Sequence, residues 1–213
     1  MKRTLWAVNL MAALFSMITV AAPRHAAAAE LEGVRFAERR QVGDASLELN
    51  CVGLLRYKYV IKAYVAALYL GSGVAPSDVL GDVPKRLEIS YFWKLDGGDI
   101  ARAGDEILAQ NLDAETRVKL RPRLDRINAL YEDVKPGDRY ALTYIPGVGT
   151  ELSLNEQRKG VIPGADFANA YFRIWLGEQP IDTSFRDRLL ACDKAGGAVG
   201  STSGKVAAPK ENG

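Results

Sequence analysis

Few residues of this chain could do chemistry: one histidine, two cysteines and a lysine set in an apolar stretch. The histidine, His25, lies in a segment built like an export signal. Lys2 and Arg3 give a positive start. Leu5 to Ala22 is an apolar run broken only by Asn9, Ser16 and Thr19, Pro23 ends it, and Ala26 to Ala29 supply the small residues signal peptidase needs. Residues 1–29 are expected to be a signal peptide, cleaved after Ala28 or Ala29, which sends the protein to the periplasm or outside the cell. The alternative is an uncleaved anchor, since the run nearly spans a bilayer, but its Ala-rich end has no basic stop-transfer flank. Cleavage removes His25. A chain without histidine builds no Ser-His-Asp or Cys-His site and lacks the commonest metal ligand. No cofactor and no metal is implied.

Charge narrows the partners. The whole chain has 28 Lys+Arg against 26 Asp+Glu; losing Lys2, Arg3 and Arg24 leaves 25 against 26, about −1. That balance suggests no nucleic-acid partner. Cys51 and Cys192 then stand alone in an exported domain, where an even count permits a disulfide. The residues leave a second reading open, two buried thiols acting as small apolar side chains.

The lysine is Lys62, within Arg56 to Gly71, RYKYVIKAYVAALYLG. From Ala63 to Leu70 this stretch is uncharged, and its β-branched and aromatic residues predict a strand covered on both faces. Lys62 either lays its stem along the sheet with its ammonium in water at the rim, or waits as a cation for a ligand's acid group.

The elements that must position these residues follow in order. Val34 to Val42 is a weak strand. Leu47 to Leu55 is a second, with Leu47, Leu49 and Cys51 alternating onto one side. After the central stretch, Ser77 to Leu80 suggests one helical turn. Arg86 to Trp93 alternates Leu87, Ile89, Tyr91 and Trp93 against Glu88 and Ser90. Asp96, with Asp99 three residues on, predicts a capped helix over 97–111 carrying Ile100, Ala103, Ile107 and Leu108 at helical spacing. Asp113 caps another, with Leu120, Leu124, Ile127 and Tyr131 as its stripe and Pro122 set to kink or restart it. Its basic residues Arg117, Lys119, Arg121, Arg123 and Arg126, interleaved with Glu115 and Asp125, read as an exposed face. Arg139 to Ile145 and Thr150 to Leu154 form a hairpin across Pro146 to Gly149. Those glycines open no helix, so they are not a phosphate loop. Phe167, Tyr171, Ile174 and Trp175 mark a further helix ended by Gly177. Asp182 caps the last, with Phe185 and Leu189 inward. Ala195 to Gly213, rich in Gly, Ser and Ala, is expected to be a disordered tail. The domain is then 30–194. The element order predicts an α+β fold, an antiparallel sheet with a layer of helices packed on one side.

These residues resemble the chalcone isomerase superfamily, specifically its bacterial secreted, isomerase-like branch. The resemblance is carried by Lys62 to Leu70 as the core strand, by Leu87-Glu88-Ile89-Ser90 with its following helix, and by the hairpin 138–154. Gly160-Val161-Ile162-Pro163, Phe167-Ala168-Asn169-Ala170 and Trp175-Leu176-Gly177 extend it to the last third. It implies an antiparallel sheet under a helical layer, with an apolar cleft between.

Matched position by position, the family's catalytic polar residues are absent. Val52 stands at the place of an arginine, Tyr64 at that of a threonine, Ile100 at that of a tyrosine, Ile107 at that of an asparagine and Ala168 at that of a small hydroxyl residue. Ring closure by a phenolate needs cationic and hydrogen-bonding groups around the developing charge, and most of these replacements supply neither. The resemblance therefore implies an isomerase-like protein without isomerase activity. It is expected to bind a fatty acid or other apolar small molecule, with Lys62 and Tyr64 as polar handles, Tyr91 and Trp93 as walls, and Ile100, Ile107 and Ala168 as lining. Two alternatives stay open: an isomerase or lyase acting on an unknown substrate, and a structural or interaction protein of the envelope with a closed core. No stable membrane insertion is expected after cleavage, and the oligomeric state is left open.

Overall fold

A computed structural model of the chain describes residues 29–58 and 60–191. The expected signal peptide (up to Ala28), the tail 195–213 and Cys192 lie outside the described residues.

Two short strands, β1 (Ala29–Leu31) and β2 (Val34–Phe36), form a hairpin of their own. Seven more make one antiparallel sheet in chain order: β3 (Arg39–Val42), β4 (Ala45–Tyr57), β5 (Ile61–Gly71), β6 (Lys85–Tyr91), β7 (Arg139–Ile145), β8 (Gly149–Leu154) and β9 (Gln157–Ile162). Four helices accompany them: α1 (Gly97–Asn111) and α2 (Ala114–Asn128) between β6 and β7, then α3 (Ala165–Leu176) and α4 (Thr183–Leu190) after β9. The expected α+β class, an antiparallel sheet with helices on one side, is the architecture observed.

The sheet is buried on both faces. On the helix side, Tyr64, Ala66, Leu68 and Leu70 of β5 and Leu87, Ile89 and Tyr91 of β6 join the inward faces of the helices in the main core. On the far side, Val65, Ala67 and Tyr69 pack with Phe36 and Leu47 in a second core that the β1–β2 segment covers. All of β6 is buried for this reason, and the alternation read from its sequence holds up to Tyr91.

The stretch Arg56 to Gly71 is not one strand. Arg56 and Tyr57 end β4, β5 begins at Ile61, and Lys58 takes a left-handed φ of 49° in the turn between them. Two bulges then decide which face each side chain meets. The β4–β5 register runs Leu49↔Tyr69 then Cys51↔Leu68, and Leu55↔Tyr64 then Arg56↔Lys62. Asn50 is thus the extra residue in β4 and Ala63 the extra one in β5. A bulge moves every residue beyond it to the other face. Cys51 therefore leaves the side of Leu47 and Leu49, contrary to the expected alternation, and Lys62 leaves the side of Tyr64.

Asn50 earns its place by donating from Nδ2 to the Leu189 carbonyl at 2.6 Å, which ties the end of α4 to β4. Beside it Gly53 lets α4 approach: a Cβ there would meet the Phe185 ring at 3.0 Å. Asp113 and Asp182 cap α2 and α4 as expected, accepting from Thr116 and Phe185 backbone N–H at 2.7 Å. Asp96 occupies the N-cap position of α1 but makes no capping bond, and Asp99 pairs with Arg102 instead. Asp133 supplies the acceptor, at 3.1 Å from the Gly97 nitrogen, because Gly97 packs directly on the Tyr131 carbonyl. Pro122 sits inside a continuous α2. On the basic face of α2, Arg121 pairs with Asp125 and Asp105, and the half-buried Arg123 is bidentate on Asp166 at 2.7 Å.

Candidate functional site

A cleft of about 430 Å³ lies between the sheet and the first and third helices. Two helical stripes build one side. Ile100, Ala103, Gly104 and Ile107 of α1 follow i, i+3, i+4, i+7 spacing, and Ile174 and Trp175 of α3 face them. The small side of α1 lets the helices close: a Cβ on Gly104 would lie 3.4 Å from Ile174 Cδ1. Tyr64 of β5 with Ile89 and Tyr91 of β6 form the sheet wall, and Tyr131 and Tyr171 add two more rings.

Phenol hydroxyls are the polar groups of the interior. Trp175 Nε1 donates to the Tyr64 hydroxyl at 3.1 Å, and the Tyr131 and Tyr171 hydroxyls bond each other at 2.9 Å. Among the described residues no acceptor takes the Tyr64 proton and no partner meets the Tyr91 hydroxyl. Burial is the first cause that pushes Tyr64, Tyr91, Tyr131 and Tyr171 well above the ordinary phenol range. At neutral pH these groups are protonated, so they serve as hydrogen-bond donors and not as bases. The charged lining residues are Asp99 and Arg102, both exposed and paired with each other at 2.7 Å. The arrangement suits an apolar body, with phenol donors inside and one guanidinium at the mouth.

The residues singled out from sequence divide between this cleft and other places. Tyr64, Tyr91, Ile100 and Ile107 line it together. Lys62 does not. The bulge at Ala63 turns it to the far face, where its ammonium meets Glu32 at 2.5 Å with the side chain 47% exposed, so the rim reading holds and the ligand-cation reading is corrected. Trp93 is 57% exposed beyond the end of β6 and donates from Nε1 to the Lys62 carbonyl at 2.7 Å, so it is no wall of the cleft. Ala168 is fully buried in the core of α3 and does not line the cleft. Val52, matched to the family's arginine, packs in the second core on the far face of the sheet. Cys51 takes part in a disulfide; Cys192 lies outside the described residues.

Sequence reasoning missed Arg102, Asp99, Tyr57, Leu95 and Ile181 at the mouth, and the role of Tyr131. Some signal was present. Ala103-Gly104 marks the side of α1 that a neighbour approaches closely, and Tyr171 with Trp175 places two aromatic residues one turn apart on the stripe of α3. The mouth residues sit at loop ends and one helix start, where periodicity carries no information.

A profile of the chalcone isomerase-like family matches residues 28–191. No curated protein sequence matches the chain. Among solved structures, the crystal structure of a fatty-acid binding protein of Arabidopsis thaliana is similar. It shares 16% identity at a TM-score of 0.56, over 80% of this chain and 95% of that one. At that identity the likeness is one of fold.

Proposed function

The chain belongs to the chalcone isomerase-like family, and from that premise we propose that it is a non-catalytic, exported protein holding a fatty acid or another apolar small molecule in the cleft. One observation carries the reading: the cleft is open, apolar and walled by neutral phenol donors, with its single ion pair at the mouth. Such a site binds an apolar chain by removing it from water. The similarity to a plant protein described as fatty-acid binding supports the same ligand class.

Catalysis of the isomerase type is disfavoured by the same geometry. The ring closure needs cationic groups around a developing negative charge. Ile100 and Ile107 supply none, Val52 faces away, and the phenols hold their protons too tightly to act as bases. Export is supported by Lys2 and Arg3 before the run Leu5 to Ala22 and by the alanines that follow. N-terminal sequencing of the protein from its own cell is expected to read from near Glu30; Met1 retained on a membrane-bound chain overturns export.

Thermal-shift titration with saturated and unsaturated fatty acids tests the cleft. Stabilisation should grow with the logarithm of ligand concentration above the dissociation constant. No shift with any acid or its alcohol overturns the binding reading, and measurable chalcone cyclisation overturns the non-catalytic one.

A further inference from the structure

The cleft opens at one end of the molecule, and that end carries an uneven share of exposed apolar surface. Eight large hydrophobic side chains are exposed among the described residues, and six of them gather here: Tyr57, Val60, Ile61, Trp93, Leu95 and Ile181. They come from three connections. The β4–β5 turn presents Val60 at 75% exposure, the segment after β6 presents Trp93 at 57%, and Ile181 precedes α4. Tyr57, Leu95 and Ile181 border the cleft, while Val60, Ile61 and Trp93 line a shallow groove on the other side of the β4–β5 turn. The Trp93 bond to the Lys62 carbonyl fixes the two loops side by side.

Basic residues stand among them. Arg56 and Lys62 share Glu32, at 3.9 and 2.5 Å, and Arg102 pairs with Asp99. Asp96 is a further exposed acid in the same segment. Lys58 and Lys94 have no carboxylate partner among the described residues; the Lys58 ammonium rests over the Tyr57 ring at 5.3 Å. Asp133 beside Gly97 and Asp182 beside Ile181 bring the acids at this end to five, equal to the cations, so the positive character is local: Lys58 and Lys94 stand without a carboxylate in the two loops that carry Val60 and Trp93.

From this composition we infer that the end bearing the β4–β5 turn and Trp93 docks on an anionic lipid bilayer, placing the cleft mouth against the membrane. Aromatic and aliphatic side chains at loop tips enter the interfacial layer, and lysines beside them reach anionic headgroups. The core of a protein interface is depleted of charge, whereas here Lys58 and Lys94 stand among the exposed apolar residues. No described helix is long and apolar enough to cross a membrane, and the contact inferred is a surface one. The inference does not depend on what the cleft holds.

Flotation of the chain from Ala29 onward, which carries both cores, tests it. Vesicles of phosphatidylethanolamine with phosphatidylglycerol are compared with phosphatidylcholine vesicles, at low and high salt and without fatty acid. The expected result is flotation with the anionic vesicles, reduced by salt and weak on phosphatidylcholine. Trp93 emission should shift to the blue, whereas Trp175, 7% exposed, is already out of water. Lys58→Ala with Lys94→Ala should weaken flotation by roughly fivefold per lysine. Val60→Ser should shrink the Trp93 emission shift, and Val60→Ser with Trp93→Ser should weaken flotation. All four side chains are exposed, and unchanged melting curves confirm the fold. Absent flotation on anionic vesicles, equal flotation on phosphatidylcholine, or variants indistinguishable from wild type overturns the inference. A chain that floats as expected yet gives no thermal shift with fatty acids keeps this inference and sinks the binding reading.

Discussion

The indole N–H of Trp175 donates to the hydroxyl of Tyr64 at 3.1 Å, and this bond ties α3 to β5 on the cleft wall. Both residues are nearly buried, Tyr64 at 6% exposure and Trp175 at 7%. Tyr64→Phe removes the acceptor and leaves the indole N–H without it. The expected cost is about 1–3 kcal/mol, the usual penalty for a buried donor left unsatisfied. Urea denaturation checks it. Trp175→Phe in the Tyr64→Phe background should add less than it does alone, because the bond is already gone; full additivity contradicts the coupling.

On the far face of the sheet, Glu88 is fully buried among arginines. Its carboxylate accepts from Arg40 Nη2 at 2.9 Å, Arg86 Nε at 2.9 Å and Arg139 Nη1 at 3.2 Å. Arg86 also donates to Thr143 Oγ1 at 2.8 Å, and Arg139 stacks over the Phe36 ring at 4.7 Å. Removing the anion leaves guanidinium groups facing one another where water is scarce. Glu88→Ala is expected to cost about 3–5 kcal/mol, and to loosen the β1–β2 cover, since Arg139 also holds the Arg35 carbonyl at 3.1 Å. Hydrogen exchange of residues 29–42 reads the second effect. A loss below about 1 kcal/mol would show that the cluster is solvated enough to tolerate the gap.

Lys85 is a further buried charge. It is fully buried, donates to the Gly81 carbonyl at 2.7 Å, and lies over the Tyr144 and Phe172 rings at 4.8 and 5.4 Å. Burial lowers its pKa from 10.5 to about 8, against the attraction of Asp82. The unfolded chain therefore binds a proton that the folded chain releases between pH 8 and 10.5, so stability from this group rises with pH across that window. The buried tyrosines act the other way, but only above the ordinary phenol value of 10. Urea denaturation from pH 7 to 10 should show the rise in wild type and lose it in Lys85→Met. An unchanged slope in the variant assigns the rise elsewhere.

The layout of sheet and helices was legible because most elements carry clean periodicity. Leu87, Ile89 and Tyr91 alternate in β6, and Ile100, Ala103 and Ile107 hold their stripe in α1. What was not legible came from single residues that break the period. Asn50 and Ala63 look like any strand residues, yet each bulge turns its neighbours over, sending Cys51 toward the helices and Lys62 and Val52 away from the cleft. A bulge has no composition of its own unless it uses glycine. Asp96 stands at the N-cap of α1 as read, but the side-chain acceptor for the first turn comes from Asp133, thirty-odd residues away, and only tertiary packing brings it there. The strand β9, Gln157–Ile162, was hidden because exposed polar residues at its start give no alternation.

The bulge at Asn50 also bears on the cysteines. It directs Cys51 to the helix side, and the Asn50–Leu189 bond holds the last turn of α4 beside it, two residues before Ala191. A Cys51–Cys192 bridge is the proposal that fits, and it would close a loop long enough for chain-entropy models to allow about 4–5 kcal/mol, less any strain. Mass spectrometry of the unreduced protein should find a peptide joining the two cysteines within one chain. Reduction should lower the melting temperature. Two free thiols, or a bridge between chains, overturns the pairing.

The final prediction separates two cations that sequence alone does not rank. A carboxylate carried deep among the phenols would be buried without a cation, a costly arrangement. Arg102 lines the mouth of the cleft with its side chain 69% exposed, so an acid group can stay there while its chain enters. Lys62 faces the other side of the sheet and is held by Glu32 at 2.5 Å. Arg102→Met keeps the apolar stem and drops the charge, and should weaken binding of a fatty acid about two- to fivefold, the worth of an exposed ion pair. The corresponding alcohol should lose nothing. Lys62→Met should change neither ligand. Tyr64→Phe should weaken acid and alcohol alike if a ligand oxygen meets that hydroxyl instead. Thermal-shift titrations of the three variants with one acid and its alcohol distinguish these outcomes. A selective loss of the acid in Lys62→Met, with Arg102→Met unchanged, would restore the lysine as the ligand's cation and overturn the placement argued from the bulge at Ala63.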